Sequence, residues 1–189
     1  PIPLGVLAVA GAGAAGGASS FDLLETTVLG TAAASVTFSN LNTYSDYKHL
    51  QVRIVSRTDR ANNLSPVNLQ FNSDSGSNYA FHWIRGTGSS VISEAYTSSG
   101  VISFPSASSD FMTANNYSAA IIDILDFSNT SKNTTTRTIG GNAASEYWDV
   151  RLASGFWNNT AAVTSLLFTP GFGASNWKAG TRMSLYGIK

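Results

Sequence analysis

From Phe21 onward, apolar and polar positions alternate with a period of two along most of the chain. The clearest stretch is Tyr47–Arg57. There Leu50, Val52 and Ile54 share one side, while His49, Gln51 and Arg53 share the other, the pattern of a half-buried β-strand. Val67–Phe71 repeats it with Asn68 and Gln70 on the polar side. The turn-forming run Asn72–Asn78 and the strand-like Tyr79–Ile84 come next, so 67–84 is expected to form a hairpin with a long loop. Ala119–Leu125 is apolar on both sides, which predicts a central strand covered on both faces. Shorter strand-like segments occur at Thr26–Leu29, Ser35–Ser39, Gly100–Phe104, Thr134–Ile139, Tyr147–Leu152, Val163–Thr169 and Arg182–Ile188. About ten strands between Ser, Asn, Gly and Thr punctuation, with no sustained 3.6-residue period, predict an all-β fold, a jelly-roll-like antiparallel β-sandwich over 21–189.

The first twenty residues read differently. Pro1–Ala10 is apolar and uncharged, and Gly11–Ser20 contains only Gly, Ala and Ser. Such a peptide is costly to leave in water. Its expected role is an extended N-terminal anchoring arm (1–20), with Ile2, Leu4, Val6, Leu7 and Val9 entering a groove on a partner. The competing reading is a disordered tail. The apolar run is well short of the ~20 residues a spanning helix needs, so no membrane insertion is expected. The first basic residue is Lys48, so no secretory leader is expected either. At the other end Met183, Leu185, Tyr186 and Ile188 tie the terminus into a predicted strand, leaving the leading segment as the tether.

Composition narrows the function. The 189 residues suit one domain plus an arm. Only 12% are charged, with 11 Lys and Arg against 11 Asp and Glu, so electrostatics offers nucleic acid no purchase. Nearly a third of the chain is Ser, Thr or Asn, which favours strands and turns over helices. There is no cysteine. That excludes a disulfide framework, thiolate metal sites and thiol catalysis, and it suits assembly in a reducing cytoplasm.

Chemistry-bearing constellations are sparse, and neither a catalytic residue nor a metal or cofactor is expected. His49 and His82 lie on polar strand faces without companions. No Gly-x-Ser-x-Gly elbow occurs. Asp123 and Asp126 are three apart, so on a strand they face opposite sides and do not form a glycosidase pair. The run from Asn72 resembles a calcium loop only in part, since its twelfth position is Trp83 and not Glu. Arg53, Arg57 and Arg60, beside Asp59, read as an interface ion-pair group in preference to a polyanion site. Trp83, Trp148, Trp157 and Trp177 are either core and interface residues or sugar-stacking platforms. For glycan contact the candidates are Trp157 with Asn158 and Asn159 beside it, and Trp177. For an oligomer interface they are Tyr79, Phe81, Trp83 and Trp148.

Five blocks together carry a family resemblance: Tyr47-Lys-His-Leu-Gln-Val-Arg53, Leu69–Tyr79, Ile121-Ile-Asp-Ile-Leu-Asp-Phe127, Ser154–Ser165 and Ser184-Leu-Tyr-Gly-Ile-Lys189. In this order they are similar to blocks of a family of tailed-bacteriophage virion proteins, frequent in viruses of cyanobacteria and other marine bacteria. The resemblance covers roughly Phe21–Lys189. It implies a non-enzymatic structural protein of the virion, a short fibre or capsid decoration. The arm would hold it to capsid, neck or tail proteins, and a homo-oligomer, a trimer by preference, would face outward. The alternative is a tail or baseplate receptor-binding or carbohydrate-binding module that recognises host glycan.

Overall fold

The computed structural model describes residues 20–62, 65–144, 147–172 and 176–189. The expected anchor residues Ile2, Leu4, Val6, Leu7 and Val9 lie outside them. The described residues form twelve strands and one 3-10 turn, Leu41–Tyr44. The strands are β1 Phe21–Val28, β2 Val36–Phe38, β3 His49–Ser56, β4 Ser65–Phe71, β5 Tyr79–Gly86 and β6 Val91–Ser99. They continue with β7 Ile102–Ala107, β8 Ser118–Leu125, β9 Thr134–Ala144, β10 Tyr147–Trp157, β11 Leu166–Pro170 and β12 Arg182–Ile188.

All pairings between these strands are antiparallel. They build an eight-stranded sheet of order β1-β12-β3-β8-β9-β10-β5-β6 and a four-stranded sheet of order β2-β11-β4-β7. Without β5, β6, β9 and β10 the order becomes β1-β12-β3-β8 over β2-β11-β4-β7. Successive strands then alternate between the sheets except from β4 to β7, which both lie in the small one, and β1 and β12 are neighbours, which is the jelly-roll path. The other four strands are two hairpins, β5–β6 and β9–β10, that widen one sheet only. The fold is thus an asymmetric sandwich, eight strands against four.

Three expectations are corrected. Segment 67–84 is not a hairpin: β4 pairs β11 and β7 in the small sheet, and β5 pairs β10 and β6 in the large one. The turn after β4 crosses between sheets because Tyr79 is pinned under it. The Tyr79 hydroxyl lies 3.0 Å from the Asp74 carbonyl and receives the Phe71 N–H at 2.9 Å. Strand β6 had no counterpart in the pattern because its residues are almost all exposed and bury no alternating set. Ala119–Leu125 does become a central strand, β8, but only one face is covered. Ile122 and Ile124 are fully buried, whereas Ile121 stays 39% exposed.

The core lies between the sheets. Leu50, Val52, Ile54, Ile122, Ile124, Met183 and Leu185 of the large sheet meet Phe38, Leu69, Phe71, Phe104, Leu166 and Phe168 of the small one. Phe38 and Phe168 make an edge-on contact at 6.2 Å. Beside this core, Arg57 is buried and staples the 108–117 loop. Its guanidinium donates to the Met112, Thr113 and Asn116 carbonyls at 2.8–3.0 Å and approaches Asp110 at 3.3 Å.

Candidate functional site

The mismatch in sheet width creates the main concave site. Strand β7 is the outer edge of the small sheet and packs against β9, β10 and β5. Strand β6 lies one strand further out, so the inner face of β10-β5-β6 overhangs that edge and lines a cleft of about 600 Å³. This volume suits a small ligand, and rigid strands supply the floor.

Register places three rows of side chains on that floor. Phe81 pairs Tyr96, Trp83 pairs Glu94, and Arg85 lies between Arg151 and Ile92. The Phe81 and Tyr96 rings stack at 4.8 Å with 17° between planes. Tyr96 donates its hydroxyl to Glu94, and that bond raises the Tyr96 pKa above its usual value. The Arg151 and Arg85 guanidiniums lie over the Trp83 ring at 4.8 and 5.9 Å. Behind them, Asp149 has no exposed side-chain surface. Arg151 Nε donates to it at 3.1 Å, and Arg85 Nε stands 3.9 Å away. The opposite rim carries Arg60, whose guanidinium stacks on the exposed Phe172 ring at 4.6 Å.

The outward face of the same sheet carries an apolar patch. Ile121 of β8 pairs Ile139 of β9, which pairs Leu152 of β10, which pairs Ile84 of β5. These four form an unbroken apolar row, 39%, 58%, 57% and 48% exposed. Val150 and Trp148 extend it along β10. Strand β10 is therefore inverted: Trp148, Val150, Leu152 and Phe156 point outward, and charged Asp149 and Arg151 point inward. The adjoining polar row is self-neutralised, because Asp123 accepts from Arg137 Nε at 2.7 Å and from Gln51 Nε2 at 2.8 Å.

Most sequence-derived candidates lie elsewhere. Tyr79, Phe81 and Trp83, expected at an oligomer surface, occupy the inward positions of β5 and are buried. Of that set only Trp148 is exposed. Trp157 and Trp177, the expected sugar platforms, are core residues without an open ring face. Trp157 Nε1 donates to Asp74 at 2.7 Å, and Trp177 Nε1 donates to the Phe168 carbonyl at 3.3 Å. Asn158 is exposed and its Oδ1 accepts from Asn133 Nδ2 at 3.2 Å, and Asn159 Oδ1 caps its own loop by accepting the Ala161 N–H. The calcium-like run is organised by Asp74. The Trp157, Asn78 and Gly76 N–H donors hold its carboxyl below the usual Asp range, against a smaller opposing effect of burial. Arg53, Arg57 and Arg60 do not cluster: Arg53 stacks on Tyr186, Arg57 is the loop staple, and Arg60 lines the cleft. His49 Nδ1 accepts the Asp126 N–H at 2.9 Å.

Sequence reasoning missed the cleft residues Arg85, Glu94, Tyr96 and Arg151. The available signal was the alternation in 147–152, if read with its polar set inward. No protein-family model, curated protein or solved structure matches this chain.

Proposed function

We propose that this chain is a non-enzymatic structural module of a tailed-phage virion, a short fibre or decoration protein that self-associates through the outward face of its large sheet. Segment 1–20 is its tether to capsid, neck or tail proteins. One observation carries the assembly part. The two-sided apolar sequence of β8 suits a strand covered on both faces, but the fold covers one, leaving the Ile121–Ile139–Leu152–Ile84 row in water.

With Val150 and Trp148 this patch amounts to roughly 600 Å², at the upper end of the about 300–600 Å² of a typical monomer's largest patch. Two copies in face-to-face contact bury about 1,200 Å² between them, the lower end of a standard-size specific interface. A second copy is the fitting occupant because the patch is uncharged and the neighbouring Arg137–Asp123 pair is neutral, so like faces do not repel. The phage assignment rests on the five sequence blocks similar to virion proteins.

The test is mass spectrometry of purified phage particles whose genome encodes the chain. Stoichiometric presence is expected, with loss from the particle on deletion of residues 1–20. Absence from purified particles overturns the virion assignment, and normal incorporation of the truncated chain overturns the tether.

A further inference from the structure

We infer that the overhang cleft binds a neutral saccharide, one of whose pyranose rings lies on Tyr96. This site is on the other side of the sheet from the assembly face and does not depend on the virion reading.

The platform sets the ligand's shape. Tyr96 stands on the outermost strand, β6, and is 44% exposed. The Phe81 ring backs one of its faces, 4.8 Å away and 17° from parallel. That stack and the hydroxyl's bond to Glu94 hold the side chain in place. Its other face is a fixed, flat apolar surface, on which the C–H face of a sugar ring packs. Phe172, also exposed, supplies a second apolar surface at the opposite rim. A space of about 600 Å³ admits one or two sugar rings.

The polar groups set what the ligand's edge must carry. Glu94, two residues from the platform on the same strand, is an acceptor only, and one of its oxygens receives the Tyr96 hydroxyl. Arg151 is a donor only, and it meets Asp149 through Nε. A ligand in the cleft therefore faces acceptors and donors in the same small space. A flat ring without N–H or O–H groups leaves Glu94 with no donor when water is displaced. An anion brings acceptors alone and stands against the Glu94 carboxylate. A hydroxyl group donates and accepts, so a ring that carries several satisfies both kinds of partner, and Ser103 adds a third of dual character. Ligand charge plays no part in this recognition, because the charged side chains of the lining are already engaged. Arg151 and Arg85 stand against Asp149, Arg60 stacks on Phe172, and Glu94 is met by Tyr96.

The test is isothermal titration calorimetry of the full chain with three neutral probes, cellotriose, maltotriose and β-1,4-galactotriose. Caffeine, a flat ring without a donor, and inorganic phosphate are the comparison ligands. At least one trisaccharide is expected to bind with a Kd below about 1 mM, at least about ten-fold tighter than either comparison ligand. Its affinity is expected to stay within about two-fold between about 50 and about 500 mM NaCl. Tyr96→Ala and Glu94→Ala, both on an exposed strand, are each expected to weaken it about five-fold or more, whereas Tyr96→Phe keeps the platform and loses less. Near-UV circular dichroism confirms that these variants stay folded. Lys132→Gln, a change in a distant loop, is expected to leave binding unchanged. No heat with any of the three trisaccharides at about 10 mM overturns the proposal. So does equal affinity for caffeine or phosphate, a loss of about ten-fold across the salt range, full binding by Tyr96→Ala, or an equal loss in Lys132→Gln.

Discussion

Replacing Asp74 with alanine tests whether Trp157 is a structural residue or a binding platform. The Asp74 carboxylate accepts Trp157 Nε1 at 2.7 Å, Asn78 Nδ2 at 2.9 Å and the Gly76 N–H at 2.9 Å. Asn78 and Gly76 lie near the surface and recover water when the carboxylate is removed. The indole N–H belongs to a fully buried side chain stacked on Tyr79 at 6.4 Å and tilted against Phe71 at 5.6 Å, and it recovers less. A hydrogen bond to a charged group contributes about 1.5–3 kcal/mol, and a stranded buried donor costs about 1–3 kcal/mol. These overlap as descriptions of one loss, so Asp74→Ala is expected to cost about 2–4 kcal/mol. For a chain of this size that lowers Tm by roughly 4–16 °C, readable by calorimetry or by Trp fluorescence during urea unfolding. Asp74→Asn keeps an acceptor and is expected to lose less. The sign of the pH dependence is fixed as well. The folded pKa of Asp74 lies below its unfolded value, so its contribution is full above about pH 4 and declines as pH falls through the folded pKa. Asp74→Ala must show a flatter acid limb than the parent. A Tm within about 1 °C of the parent, or parallel acid limbs, refutes the reasoning.

Arg57→Met leaves three carbonyls and Asp110 without their shared donor, and is expected to cost about 3–5 kcal/mol, with hydrogen exchange rising first in 108–117. Exchange confined to other segments contradicts the staple. Burial pushes the Tyr79 hydroxyl up to about 12. Its folded pKa is raised, so its stabilising contribution holds below about pH 10 and is lost as pH rises towards 12. Absorbance at the phenolate band should therefore show one tyrosine titrating late and together with unfolding, and Tyr79→Phe should remove it. A methyl group on Gly155 would stand 2.8 Å from Ile102 Cγ2 and 3.0 Å from Thr136 Oγ1, where β10 meets β7. Gly155→Ala is expected to cost about 1–3 kcal/mol in urea unfolding, and an unchanged midpoint would contradict the packing.

The sandwich was legible because most strands bury one face, and a period of two survives in any such sequence. Tyr47–Arg57 and Arg182–Ile188 became β3 and β12 on that signal. What stayed hidden depends on which sheet, and which side, a strand joins. Val91–Ser99 buries almost nothing, so no period marks β6. The alternation in Tyr147–Leu152 predicts a strand but not its orientation, and the structure turns the apolar set outward because Asp149 pairs with Arg151 and Arg85 inside. Trp157 and Trp177 illustrate the same limit. Asn158 and Asn159 suggested a surface site at Trp157, whereas its indole N–H is met by Asp74, far away in sequence, and that of Trp177 by the Phe168 carbonyl on the preceding strand. The cleft needs β5, β6 and β10 together with the rim around Arg60 and Phe172, and no local pattern announces that convergence.

Sedimentation equilibrium of the purified chain and of Leu152→Glu addresses the covered-face argument most directly. Leu152 sits mid-row and 57% exposed, so a carboxylate there is tolerated by the monomer and desolvated at a self-interface. The account predicts a trimer or other closed oligomer for the parent at about 50 µM, and a folded monomer for the variant. A parent that stays monomeric, or a variant that associates as well as the parent, contradicts it.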